Sequence, residues 1–189
     1  MKTFSPFFLL ALSLLLASSS VAQHQTFTAS PEASDVQFTL GGSDHKTHGS
    51  FHVKDGSIAF DRTASTISGT IDVAAGSGTS GNQSRDKKMT NEVLDVTHYA
   101  DVSFVPHSYQ GSIAPTGDST IQLSGTFTLH GTPHEITVPV QLNMDGSNCT
   151  VKTHFTVPYV KWGLKDPSVF ILKVAKDVDI DLTLVGHLS

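Results

Sequence analysis

IQLSGTFTLHGTPHEITVPVQLNM, residues 121–144, decides the fold of this chain. Ile121, Leu123, Gly125, Phe127 and Leu129 alternate with Gln122, Ser124, Thr126 and Thr128. Beyond His130-Gly131-Thr132-Pro133, the residues Ile136, Val138, Val140, Leu142 and Met144 alternate in the same way. A period of two puts the apolar side chains on one face of an extended strand and the polar ones on the other. The Gly and Pro between the runs read as a hairpin connection, so the two strands are antiparallel neighbours.

The same alternation recurs on both sides of this hairpin. Val36, Phe38 and Leu40 show it, as do Ile67, Gly69, Ile71 and Val73, and near the end Val178, Ile180, Leu182 and Leu184. Shorter versions run through Phe51 and Val53, Ile58 and Phe60, Val102 and Phe104, and Val151 to Val157. Lys54-Asp55-Gly56 and Asp145-Gly146-Ser147-Asn148 read as further hairpin connections, and Ala74 to Asn82, rich in Gly, Ser and Thr, as a loop. One segment, Ser84 to Leu94, reads as a short helix: Met89 and Val93 fall on one side, and Asn82 or Ser84 supplies the cap. One helix cannot cover so many half-apolar strands. The sheet must close as a barrel or fold over as a sandwich, and alternation alone allows both.

The first 22 residues read as a signal peptide rather than as part of the fold. Lys2 precedes an apolar run of about eleven residues, Phe7 to Ala17, and Ser20-Val21-Ala22 supplies the small residues of a cleavage site. The run is shorter than the roughly 20 residues of a membrane-spanning helix. Cleavage leaves 23–189 as one domain, with 11 Lys and Arg against 17 Asp and Glu, a net charge of about −6. That balance excludes nucleic acid as a partner, and no later stretch reads as a stable membrane span. Cys149 is the sole cysteine, so no internal disulfide forms, and it reads as a small buried apolar residue.

Several segments, in order, resemble the YceI-like family. They are Lys46-Thr47-His48-Gly49-Ser50-Phe51, Gly56 to Asp61, Gly81 to Met89, Leu94-Asp95 with Val102-Ser103-Phe104, and Gly125 to Thr132. The resemblance spans nearly the whole mature chain. It implies an all-β fold: a closed antiparallel lipocalin-like β-barrel with one short helical segment and an elongated apolar channel. It also implies export to the periplasm or secretion, and a polyisoprenoid, isoprenoid quinone or fatty amide as ligand. The chain departs from the usual family pattern at Leu94-Asp95, where an aromatic pair commonly precedes the Asp. It departs again at Pro158 to Lys165, where an Arg-containing stretch is usual.

The chemistry-bearing residues point to binding. Of ten histidines, His48 and His52 share a polar strand face, but four residues on a strand separate them by roughly 13 Å, too far for one ion. No metal site is expected. Neither a G-x-S-x-G elbow nor a Cys-His signature occurs, and Asp177, Asp179 and Asp181 read as a solvated face. The expectation is therefore a non-enzyme without a cofactor, whose partner is a long-chain apolar lipid of isoprenoid type; a homodimer is left open. Its tail would lie among Phe38, Phe51, Ile71, Leu123, Phe127, Val138, Phe155 and Leu182, and its head near Arg85 or Trp162. Arg85-Asp86-Lys87-Lys88, with a local Arg–Asp pair, is one candidate rim, and Lys161, Trp162 and Lys165 are another. The rival readings are a surface or stress-response interaction protein with a filled barrel and, third, an enzyme.

Overall fold

The period-two runs form antiparallel strands throughout residues 24–43, 45–169 and 173–189, which the computed structural model describes. In chain order they are β1 (His24–Ala29), β2 (Asp35–Gly42), β3 (Thr47–Asp61), β4 (Thr66–Thr79), β5 (Asp101–Gly111), β6 (Gly117–Leu129), β7 (Thr132–Asp145), β8 (Asn148–Val157) and β9 (Val174–Leu188). Between β4 and β5 lies α1 (Gln83–Lys88), continued by a wider π turn, Met89–Val93. The expected signal peptide and its cleavage site lie outside the described residues. Among the described residues no helix is long and apolar enough to cross a membrane.

Of barrel and sandwich, the chain takes the barrel. Pairing runs β3–β2–β9–β8–β7–β6–β5–β4 and returns from β4 to β3, a closed antiparallel ring of eight positions. Closure pairs the strand edges that an open sheet would expose. β1 and β2 share one position, since both lie between β3 and β9. Phe27 of β1 faces Ile58 and Leu188, and Val36 of β2 faces Phe51 and Leu182. They are one stave broken at Pro31, which has no amide to give a ladder and starts a 3-10 turn instead. Ser34 mends the break: its Oγ donates to Ser30 O at 2.9 Å and accepts from Val185 N at 3.1 Å. With only Phe27 and Ala29 on its apolar face, β1 is too short an alternation to register in the sequence.

Two expected connections prove to be strand. Lys54-Asp55-Gly56 is not a hairpin: β3 runs straight through it, and the register against β4 shifts between Val53 and Asp55. The β-bulge there changes which parity faces inward, from Phe51 and Val53 to Ile58 and Phe60. Ala74 to Thr79 likewise belongs to β4, where several extra residues bulge out between Ala74 and Thr79. Ser77 holds that bulge, its Oγ donating to Ala74 O at 2.6 Å and accepting from His52 N at 2.8 Å. Both strands read from 121–144 form and pair, from Gly117 with Met144 to Leu129 with Thr132, but Thr132 and Pro133, expected in the connection, belong to β7. His130 and Gly131 turn the hairpin, both with positive φ (51° and 71°), as a two-residue turn that matches strand twist requires.

Small residues keep the inner wall thin. A Cβ on Gly125 would sit 2.6 Å from the Phe104 ring, and one on Gly186 would sit 2.6 Å from the Phe27 ring. The two phenyl rings therefore occupy the space that a side chain at either glycine would need. At the end where β3 gives way to β4, packing is tight: Phe27, Phe60, Ile121, Met144 and Cys149 are all buried. Asp61 shapes this end. It is 2% exposed, and its Oδ1 accepts from the amides of Thr63 (2.7 Å) and Ala64 (2.8 Å).

The Ala64 amide, opposed by desolvation and aided by the Thr63 amide and His24, holds the Asp61 carboxyl below its usual range. A depressed folded pKa stabilises above the unfolded value, and that stability is lost as pH falls through the folded pKa. Asp61→Asn should therefore melt below the parent at neutral pH, with the gap shrinking as pH drops below about 4. Thermal melts across that range test it; a gap independent of pH would refute the assignment.

Candidate ligand-binding cavity

The inward residues do not fill the barrel. They enclose a cavity of about 700 Å³ that runs from Phe27, Phe60, Met144 and Cys149 at the tight end to α1 at the other. That volume falls within the range of small-molecule sites, roughly 300–1,000 Å³. Phe38, Phe51, Ile71, Leu123, Phe127, Val138, Phe155 and Leu182, expected from their alternation to surround a tail, all stand on its wall. The Phe127 and Phe155 rings meet edge-on at 5.8 Å, and those of Phe38 and Phe51 lie tilted at 5.4 Å.

The mouth lies at the α1 end. Asn82 caps the helix, its Oδ1 accepting from the amides of Ser84 and Arg85, both at 3.1 Å. The π turn follows because Leu94 N reaches back to Met89 O. With Met89 and Val93 directed to the cavity, this turn partly roofs the barrel. Residues 158–169 cross from the other side. Lys165 pairs with Glu92 at 2.6 Å, and Lys88 Nζ donates to Pro167 O at 3.1 Å, so the two halves of the roof are tied. Chiefly through its hydrogen bond to Lys165, the Glu92 carboxyl is held below its ordinary range.

Arg85 is on the cavity rim, but its expected pairing with Asp86 is replaced. Arg85 Nε donates to Ser80 Oγ at 2.7 Å and Nη2 to Ser80 O at 2.9 Å. Asp86 turns to the same serine, accepting from Ser80 Oγ and, at 2.8 Å, from Ser80 N. The serine separates the charges. Chiefly its hydroxyl lowers the Asp86 pKa, with Arg85 contributing least.

Trp162 is not on the cavity wall. Its ring stacks on His134 at 3.9 Å with 7° between planes, and its centroid is 5.9 Å from that of Phe127. It braces the 158–166 segment against β6 and β7. Lys161 and Lys165 also lie off the wall, so the second expected rim does not line the cavity. Lys88, Lys173 and His45 do, joining Arg85 at the mouth. Lys88 belonged to the basic run legible in the sequence. Lys173 and His45 come to the mouth only because the starts of β9 and β3 lie near α1.

Besides the basic groups at the mouth, two wall residues are weak acids, and burial favours the protonated form of both. Burial, then Asp166 and Asp177, pushes the Tyr159 hydroxyl up to about 12, and it donates to Ala175 O at 2.7 Å. Burial likewise raises the Cys149 thiol, against a smaller opposing effect of Arg62. Apart from His45 at the mouth and His134 under Trp162, the histidines that make side-chain bonds do so on outer surfaces: His48 meets Thr39 at 3.0 Å and His154 meets Asp181 at 2.8 Å. Among the described residues no three His, Cys, Asp or Glu side chains gather as a metal would require.

A closed antiparallel barrel around an apolar cavity, with polar groups at one mouth, defines the lipocalin-like class of barrels. The chain belongs to the YceI-like domain family, whose model matches residues 27–186. It is 28% identical over 149 residues to a UPF0312 protein of Pseudomonas putida, covering 74% of this chain and 72% of that one. Its fold is similar to Burkholderia cenocepacia BcnA, with a TM-score of 0.68, 21% identity, and coverage of 84% of this chain and 99% of that chain. It is also similar to a polyisoprenoid binding domain from Saccharophagus degradans implicated in plant cell wall breakdown. There the TM-score is 0.66 with 12% identity, over 86% of this chain and 98% of that one. At these identities the two structures share the fold.

Proposed function

We propose that this chain is an exported lipid-binding protein that encloses one long apolar tail, of polyisoprenoid, isoprenoid quinone or fatty amide type, in its barrel. The observation that carries the reading is the cavity: about 700 Å³, walled mainly by aliphatic and aromatic side chains, with the cations Arg85, Lys88 and Lys173 among the few charged groups that line it. A tail laid there leaves water at roughly 25 cal/mol per Å² of apolar surface, a non-directional gain that suits a chain without functional groups. The head stays at the mouth, near Arg85. Binding rather than catalysis fits the wall, where burial favours the protonated form of the weak acids Tyr159 and Cys149. The likeness to the polyisoprenoid binding domain of Saccharophagus degradans supports the ligand class. A filled barrel that serves only as a surface is less favoured, because the side chains leave this volume open.

The test is mass spectrometry of organic extracts from protein recovered outside the cytoplasm of its native host. A mature chain beginning at Gln23 should carry close to one equivalent of a single long-chain lipid. Full-length chain in the membrane fraction would sink export, and extracts without any long-chain lipid would sink the carrier reading.

A further inference from the structure

The barrel wall is not laced along its full height. β7 and β8 pair only from Val140 with Thr153 to Asp145 with Asn148. Toward the α1 end, residues 132–139 of β7 pair with β6 alone, and 154–157 of β8 with β9 alone. Pro139 starts the lapse. It has no amide to give β8, and its carbonyl accepts from Thr153 Oγ1 at 2.7 Å instead. Cavity residues flank the seam, Ile136 and Val138 on one side and Phe155 and Val157 on the other. The ladder between β4 and β5 also lapses beyond Ile71 and Phe104, but at the tight end, where Tyr109 and Ile113 are buried.

Segment 158–166 bridges the β7–β8 seam and is fastened on one side of it. It follows β8 directly and bonds internally, from Trp162 N to Pro158 O and from Leu164 N to Tyr159 O, both at 3.0 Å. The Tyr159 hydroxyl anchors it to β9 through Ala175 O. Among the described residues it makes no hydrogen bond to β7. It rests there on the flat stack of Trp162 against His134, with the Phe127 ring beside them. Under that stack His134 Nε2 is buried without a partner, a cost of the closed state that contact with water relieves. The tie from Lys165 to Glu92 joins two side chains that are each about half exposed, and such pairs hold weakly in water. Widening the seam therefore breaks no strand pairing.

Resting on the lipid-barrel reading, we infer that segment 158–166 is a side door to the cavity, with Trp162 as its latch. When Trp162 lifts off His134, the seam between β7 and β8 opens and the tail passes through it sideways. A flexible tail that enters end-first must thread the barrel along its whole length. A seam that reaches the rim admits the tail along its side while the head stays outside.

The test is the rate at which mature protein, loaded with retinol as a fluorescent isoprenoid, releases it to phosphatidylcholine vesicles. Trp162→Ala should speed release and uptake alike by at least roughly tenfold and leave the Kd within about threefold, because a door sets the barrier and not the bound state. Trp162→Phe, which keeps a ring over His134, should fall between that variant and the parent. Thr137 and Thr156 are exposed on opposite sides of the seam, on β7 and β8. In the Thr137→Cys/Thr156→Cys protein, joined after loading by a short bismaleimide, release should slow by at least roughly tenfold with the mouth untouched. Cys149 is buried and stays out of that reaction. The cross-linked protein keeps Trp162, so it decides the matter even where Trp162→Ala does not fold. Release from Trp162→Ala at the parent's rate, a Kd that weakens in step with faster release, or undiminished release from the cross-linked protein overturns the inference and leaves the lipid barrel standing. If the parent takes up neither retinol nor parinaric acid, the lipid-barrel reading falls, and the door with it.

Discussion

Replacing Leu123 by Trp should empty the barrel of lipid without unfolding it. Leu123 lies midway along β6, beside Tyr109 on β5 and Val138 on β7, and its half-buried side chain stands on the cavity wall. An indole there has open volume in front of it rather than a packed neighbour, so the cost should sit at the low end of the roughly 1–3 kcal/mol typical of overpacking. Co-purified long-chain lipid should drop by at least about tenfold, since a tail cannot pass a blocked lumen without losing contact along its length. Gln122→Trp, on the outer face, is the control and should leave lipid content unchanged. Phe127 is a poorer plug than its alternation suggests, because its ring is already boxed by Phe155 and Trp162 at 5.8 and 5.9 Å. Retention of the parent's lipid load by a folded Leu123→Trp protein would place the lipid outside the barrel.

Gly69→Ala should be the most damaging single-methyl change in the sheet. Gly69 pairs with Ile58 across β3 and β4 and holds φ at +125°, a conformation that side chains disfavour. A Cβ there would also drive into the Ser57 carbonyl, which is backbone within a ladder and cannot swing away. Strain and overlap together should cost roughly 2–4 kcal/mol. For a domain of this size that lowers the melting temperature by roughly 4–16 °C. Gly76→Ala, where a Cβ meets nothing, is the matched control. A Gly69→Ala protein melting with the parent would show that β4 rearranges freely at this point.

Much of the barrel is legible in the sequence because a half-buried antiparallel strand writes its two faces directly as alternation. Ile121 to Leu129 and Ile136 to Met144 show both strands and that they neighbour each other as a hairpin, while the register was fixed by a turn two residues shorter than the connection read from the sequence. The signal fails where the backbone breaks period two. The bulges at Val53–Asp55 and within Ala74–Thr79 switch the inward parity, so single strands there look like two pieces or a strand and a loop. Pro31 has the opposite effect, splitting one stave into β1 and β2 and leaving β1 too short to notice.

The candidate site divides along the same line. Apolar wall residues such as Phe38, Ile71, Val138 and Leu182 follow from alternation, because facing the interior is a local property of a strand. Arg85 and Lys88 follow from a basic run beside a capped helix. Trp162 misled, since a lone aromatic beside lysines looks the same in sequence whether it faces a ligand or, as here, stacks on His134.

By itself, the sequence determined most of the strands, the main hairpin, the one-faced apolar pattern and the need to cover that face. All of these are set by interactions between residues near one another in the chain. Closure of β4 onto β3, the choice of barrel over sandwich, the open volume and the meeting of Lys173 and His45 with α1 were decided only in the tertiary structure. They depend on strand tilt, bulge position and contacts between residues far apart in sequence, which no local pattern encodes.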